Sequence, residues 1–203
     1  MAGRNGELVQ RLRTLVPRGA ERFLYLWGAP GSGRTHLLRS ALAALEQAHS
    51  KVVYLTADAA AFDPRALEEA DVVAADDVER LDDGAQVVMF NLYNRLRDSG
   101  GTLLAAGDVP PAQLQLRPDL ATRLAWGLVY EVHALSDDEK VQALTEHAVA
   151  RGFSLSAEVC RYLLEHVQRD MRTLTAVLDT LDRYALETKR PITVPLVREL
   201  LAQ

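Results

Sequence analysis

Gly28-Ala29-Pro30-Gly31-Ser32-Gly33-Arg34-Thr35 follows the phosphate-loop pattern G-x-x-x-x-G-K-[ST], with arginine in the place of lysine. Glycines at this spacing let backbone N–H groups turn inward around phosphate oxygens, and a helix starting beyond them adds its positive end. Gly28, Pro30, Gly31, Ser32, Gly33, Arg34 and Thr35 are therefore the candidate nucleotide-binding set, with the Thr35 hydroxyl as a magnesium ligand. Arg34 keeps the positive charge but brings a planar fork instead of a compact ammonium, which favours holding a nucleotide over aligning its terminal phosphate for hydrolysis. Further on, the apolar run Val72-Val73-Ala74-Ala75 ends in Asp76-Asp77. Asp76 is expected to hold magnesium through water, and Asp77 to orient or activate an attacking water. Paired acids in an acidic stretch also read as simply solvated. Another apolar run ends in Gly107-Asp108, where Asp108 either senses the terminal phosphate or makes a turn.

Two arginines have positions that matter. Arg123 lies in Asp119-Leu-Ala-Thr-Arg-Leu-Ala-Trp-Gly127, and Arg172 in Arg169-Asp-Met-Arg-Thr-Leu174. Spacing alone leaves each as either an exposed surface arginine or a nucleotide contact, Arg123 towards a neighbouring subunit and Arg172 towards its own chain. Trp27, His36 and Trp126 read as local packing residues, and Cys160 as a small core residue.

The elements that must position these residues follow from periodicity. Residues 22–27, 51–56, 71–75, 102–106 and 128–132 read as short strands. A helix after the glycine loop is marked by apolar residues 37, 38, 41, 42 and 45, and another by Met89, Leu92, Tyr93 and Leu96. Short apolar strands alternating with helices imply a parallel sheet covered on both faces. From Ser136-Asp-Asp-Glu139, which has capping-box spacing, the pattern becomes wholly helical. The expected division is an α/β nucleotide-binding domain at 1–135 and a small all-helical domain at 136–203.

Composition narrows the class. The 203 residues carry 23 basic and 28 acidic side chains, a net charge of −5, and are 48% hydrophobic, enough for a core. A single cysteine excludes a disulfide framework and a cysteine-based zinc site. No apolar run approaches the roughly 18 residues of a membrane span, and the N-terminus lacks a signal-type stretch, so no membrane partner and a cytoplasmic location are expected. Net acidity argues against a chain built mainly to grip the DNA backbone. Ten acids between Asp58 and Asp83, against Arg65 and Arg80, read as a solvated face or an electrostatic docking surface.

Gly28–Thr35 with the following His-Leu-Leu, Asp76-Asp77, Gly107-Asp108, the Arg123-Leu-Ala-Trp-Gly127 box and Asp170-Met-Arg172 occur in the order of an AAA+ module, and resemble the branch of the bacterial initiator DnaA. Within it, the phosphate-loop arginine, Phe90-Asn-Leu-Tyr-Asn-Arg95, Gly107-Asp-Val-Pro-Pro111 and Arg169–Leu174 are similar to the Hda family of DnaA-homologous inactivators, over about Asn5 to Leu201. The resemblance implies an AAA+ P-loop sheet with a helical lid, bound ADP (or ATP) with Mg2+, and negative regulation of replication initiation. In that family an ADP-bound protein on the DNA-loaded sliding clamp promotes hydrolysis of the ATP held by DnaA. By position, Arg123 is then the arginine finger acting in trans and Arg172 the sensor arginine on the chain's own nucleotide. DNA contact is expected to be indirect, and self-association plausible. An initiator proper is disfavoured, since no duplex-binding domain follows residue 203. The family's clamp-binding peptide, of Gln-Leu-x-Leu type, precedes the module and is not found at Met-Ala-Gly-Arg-Asn, whereas the internal Gln113-Leu-Gln-Leu116 reads as packing. The rivals are an autonomous AAA+ ATPase such as a helicase loader, and a passive scaffold that binds nucleotide only for stability.

Overall fold

The computed structural model describes residues 3–15, 21–57 and 63–201. The chain forms two compact units that meet in sequence at His133 and Ala134. In the first, the elements in chain order are α1 (Gly6–Arg13), β1 (Phe23–Trp27), α2 (Arg34–Gln47), β2 (Val52–Leu55), α3 (Pro64–Glu69), β3 (Val72–Ala75), α4 (Asp83–Ser99), β4 (Thr102–Gly107), α5 (Pro118–Ala125) and β5 (Leu128–Glu131). The strands form one sheet in the order β2-β3-β4-β1-β5, and every pairing is parallel.

Side chains two apart along a strand share a face, and here both faces are buried. Tyr25, Val73, Ala75, Leu103 and Ala105 turn to one core, closed by Leu67 of α3, Met89, Leu92, Tyr93 and Leu96 of α4, and Leu120 and Leu124 of α5. Leu24, Leu26, Val72, Ala74, Leu104 and Ala106 turn to the other, under Leu8 and Leu12 of α1 and Leu38, Ala41, Leu42 and Leu45 of α2. Leu114 is buried in the first core and Leu116 packs against it, so the Gln113–Leu116 peptide serves packing as its sequence suggests. Trp27 packs half-buried on that core, whereas His36 is exposed on α2.

Three short helices carry no apolar period long enough to read from sequence: α1, α3 and α5. Two of them are nonetheless marked by proline in the first turn, Pro64 and Pro118, where its fixed φ suits a helix start. The acidic stretch is solvated in part: Asp63, Glu68, Glu69, Asp82 and Asp83 are exposed, and several of its acids also bond backbone. The Asp63 carboxylate accepts from the Arg65 N–H at 3.0 Å and caps α3, and Asp82 accepts from the Ala85 N–H at 2.7 Å and caps α4. Asp71 accepts from the Lys51 N–H, and Asp76 is buried. These acids satisfy backbone donors at element starts. Asp58 lies outside the described residues.

The second unit comprises α6 (Asp137–Ala150), α7 (Ala157–His166), α8 (Met171–Thr188) and α9 (Val194–Leu201). The capping box forms: Ser136 Oγ accepts from the Glu139 N–H, and Glu139 accepts from the Ser136 N–H at 2.7 Å. Leu144, Val159, Cys160, Leu163, Leu174, Leu178, Leu181 and Val197 make a separate core.

One glycine fixes the turn from α5 into β5. A Cβ on Gly127 would run into the carbonyl oxygen of Phe23, backbone that cannot swing away. Gly127→Ala is expected to cost about 1–3 kcal/mol of stability. Gly6→Ala, with nothing within 4 Å of the added carbon, should change it by less than about 0.5 kcal/mol. Urea unfolding of the two variants beside the wild type checks both.

Candidate functional site

The strand order places the carboxyl ends of β1, β4 and β3 side by side, so the glycine loop after Trp27, Asp108 after Gly107 and Asp76 after Ala75 leave the same edge of the sheet. In open α/β sheets that edge is where ligands bind. The loop geometry needs its glycines. Gly31 and Gly33 have φ of 79° and 108°, in the left-handed region, and a Cβ on Gly28 would strike the Val132 carbonyl oxygen. Gly33 precedes α2 and offers no side-chain cap, so the first N–H groups of that helix remain for a ligand. Ser32 Oγ and Arg34 Nη1 are both buried with no hydrogen-bond partner among the described residues. Unpaired buried donors beside an uncapped helix start are what a phosphate group would satisfy, so these residues fit a nucleotide.

Asp76 is only 3% exposed. Its Oδ2 accepts from the Thr35 hydroxyl at 2.6 Å and from the Tyr54 hydroxyl at 2.7 Å, and its Oδ1 accepts from the Asp77 N–H at 3.1 Å. A carboxylate and a hydroxyl in contact are hard oxygen donors suited to Mg2+. Burial, then the bond to Asp76, push the Tyr54 phenol up to about 12, so it remains a donor. The guanidinium of Arg39 lies 4.9 Å above the Tyr54 ring. Asp77 takes a left-handed backbone, φ 51°, and its carboxylate stands 3.9 Å from Arg34 Nη2. The structure thus brings Arg34 and Asp77 together, a pairing that linear spacing does not reveal.

Glu79 escapes sequence reading altogether. Its Oε2 is buried without a hydrogen-bond partner. Burial raises its pKa, the nearby Asp108 adds to the rise, and Arg34 opposes it. The Tyr25 hydroxyl, which donates to the Val109 carbonyl at 2.9 Å, is likewise pushed up by burial and then by Glu79. Asp108 itself is exposed. The available signal is only that Glu79 directly follows Asp76-Asp77-Val78 on the short 3-10 turn Val78–Arg80.

Arg123 sits in the last turn of α5, away from the glycine loop in sequence and on the side of the sheet that α4 covers. Its Nε donates to Asn94 Oδ1 at 3.0 Å. Its guanidinium carbon lies 4.2 Å from the Phe90 ring centroid, 5.6 Å from that of Trp126 and 5.8 Å from that of Tyr93. Trp126 is 63% exposed, so it is no packing residue but one wall of this cradle. Each such contact is worth about 0.5–2 kcal/mol, enough to fix the side chain. Arg172 is exposed in the first turn of α8, where Asp170 caps the helix by accepting from the Thr173 N–H at 2.9 Å. It belongs to the second unit and lines an open groove there with Thr173, Ala176 and Leu200.

The raised pKa of Glu79 has a stability consequence. A carboxyl whose folded pKa exceeds its unfolded value costs nothing while both states are protonated, and costs progressively more as pH rises through the interval between them. Glu79→Gln should therefore be more stable than the wild type at about pH 7, with the difference gone at about pH 4. Urea midpoints at the two pH values check this.

A family model for the bacterial DnaA ATPase domain matches residues 10–131, and one for the Hda lid domain matches residues 137–201. Among solved structures, domain III of the Thermotoga maritima replication initiation protein DnaA is similar with a TM-score of 0.81 and 22% identity, over 97% of this chain and 89% of that one. AMPPCP-bound DnaA from Aquifex aeolicus gives 0.70 and 22%, over 87% of this chain. This chain spans only 60% of the Aquifex protein's length. The Thermotoga maritima RuvB Holliday junction branch migration motor gives 0.66 at 14% identity, covering 95% and 67% of the two chains. At these identities the structures establish a shared AAA+ fold: a five-stranded parallel sheet with helices and a C-terminal helical lid. The family models add the branch, and the chain is a DnaA-like AAA+ protein of the Hda type.

Proposed function

We propose that this protein is a regulator of replication initiation that binds ADP or ATP with Mg2+ at the Gly28–Thr35 loop and supplies Arg123 to the nucleotide of ATP-bound DnaA. The observation that carries the reading is the cradle of Arg123: a cation held by Asn94 and three aromatic rings, one of them an exposed tryptophan. A preorganised arginine brought to a developing phosphoryl charge raises transfer rates by roughly three to five orders of magnitude. Residues 1–135 serve as the nucleotide-binding domain and 136–203 as its lid, with Arg172 as the sensor arginine and Asp108 a further polar contact.

Thr35 and Asp76 would hold Mg2+, which neutralises phosphate charge when bound. Ser32 Oγ and Arg34 Nη1 gain the partners they lack. Arg34 already stands within ion-pair distance of Asp77, which positions its fork. Asp77 also remains the candidate for activating water, so slow self-hydrolysis is the behaviour to look for in the isolated chain. The sliding clamp on DNA is the proposed platform, through a segment of Gln-Leu-x-Leu type, with DNA contacted indirectly. The proposed setting is the cytoplasm, in keeping with the absence of any helix long and apolar enough to cross a membrane among the described residues.

The test is ATP hydrolysis by DnaA with this protein, clamp-loaded DNA and a clamp-binding segment fused at the N-terminus. Wild type is expected to accelerate hydrolysis by about tenfold or more, Arg123→Ala to abolish the effect while remaining folded, and Asn94→Ala to lower it by about fivefold through loss of one hydrogen bond. Equal hydrolysis by this chain alone, with DnaA unaffected, would replace this reading with an autonomous ATPase. An unchanged rate for Arg123→Ala would leave only a scaffold.

A further inference from the structure

Tyr54 is a feature that the phosphate-loop pattern does not require. It lies on β2, the edge strand beyond β3, and yet its hydroxyl reaches across to the carboxylate that ends β3. Asp76 Oδ2 receives two hydroxyl protons, from Thr35 and from Tyr54. The Tyr54 ring in turn lies under Arg39, which follows Thr35 by one helical turn of α2. One tyrosine therefore ties the helix that carries Thr35 to the strand end that carries Asp76.

We propose that Tyr54 is a positioning residue for the magnesium pair, acting through Asp76; the inference rests on the reading of Thr35 and Asp76 as the residues that hold Mg2+. A hydroxyl oxygen that ligates a cation keeps its proton and must give it to an acceptor. Asp76 Oδ2 is that acceptor for Thr35, and its usefulness depends on the carboxylate not rotating. Its Oδ1 is held by a longer bond from the Asp77 N–H, next to a left-handed residue. The short bond from Tyr54 fixes the other oxygen at the place where Thr35 needs it. Phenylalanine at this position keeps the ring under Arg39 and removes the hydroxyl, with its bond to Asp76 and its own interaction with Arg39.

Binding of ADP is measured by calorimetry with Mg2+ and with EDTA, for wild type, Tyr54→Phe, Asp76→Asn and the double variant. Mg2+ is expected to tighten binding to the wild type by about tenfold or more, and Asp76→Asn to remove that gain. Tyr54→Phe should bind as the wild type does in EDTA and lose about fivefold of the Mg2+ gain, the effect of one hydrogen bond to a charged group. In the Asp76→Asn background the same change should do nothing further. A full Mg2+ gain in Tyr54→Phe, or an equal loss with and without Mg2+, overturns the inference alone. Wild type that binds ADP without any Mg2+ gain overturns the reading of the pair, and the inference with it.

Discussion

A buried carboxylate must be repaid in hydrogen bonds, and Asp76 sets that condition for the first unit. At 3% exposure it accepts from two hydroxyls and a backbone N–H, drawn from α2, from β2 and from the residue that follows it. Each donor arrives by a different route through the fold. Thr35 requires α2 to begin immediately after the glycine loop, Tyr54 requires β2 to pair in register with β3, and the Asp77 N–H requires the chain to turn left-handed at once. The pairing of Tyr54 with Ala74 and Leu55 with Ala75 is the register that brings the tyrosine beside the strand end. A slip of one residue would send the Tyr54 hydroxyl to the other face and leave Asp76 with one hydroxyl donor.

Around this point the electrostatics are arranged in opposition. Arg34 is a buried cation with one nitrogen unpaired, and Asp77, Glu79 and Asp108 all act on it or on one another. Glu79 carries the cost, a carboxyl pushed up by burial with an unpartnered oxygen. Tyr25 prevents its relief: its hydroxyl is committed to the Val109 carbonyl. A Cβ on Gly107 would meet both groups, so the close approach of β4 to Tyr25 and Glu79 depends on glycine there.

The strands were legible because a sheet buried on both faces leaves short apolar runs, of which those of β1, β3 and β4 end at a glycine or an acid. The glycine loop, Asp76 and Thr35 were legible because their chemistry is local in sequence. Tyr54 and Glu79 were not, since one reaches its partner across 22 residues and the other is defined by burial that no local pattern encodes. The acidic stretch was legible in part: its exposed acids follow from charge alone, but counting charge does not show that the exposed Asp63 and Asp82 also cap helices, a signal carried by the residues that follow them. Trp126 shows the converse error. A large aromatic is packed inside by default, but here its ring stays in solvent beside Arg123.

Why Arg123 should be held by rings and an amide follows from what each kind of partner does to a cation. A carboxylate would hold the guanidinium more tightly and also cancel its field, so an incoming anion would have to displace it. Phe90, Tyr93 and Trp126 orient the guanidinium through their ring faces, and Asn94 through a neutral oxygen, without neutralising it. Among the described residues only Nε is committed, to Asn94, so the two terminal nitrogens keep the fork geometry that suits bidentate bonding to an anion. Asn94 and Phe90 lie one turn apart on α4, and Arg123 and Trp126 close the end of α5, so the cradle exists only when the two helices are packed on the core they share through Met89, Tyr93, Leu120 and Leu124. The side chain's readiness is therefore a property of helix packing, and it is lost by any change that lets α5 shift against α4.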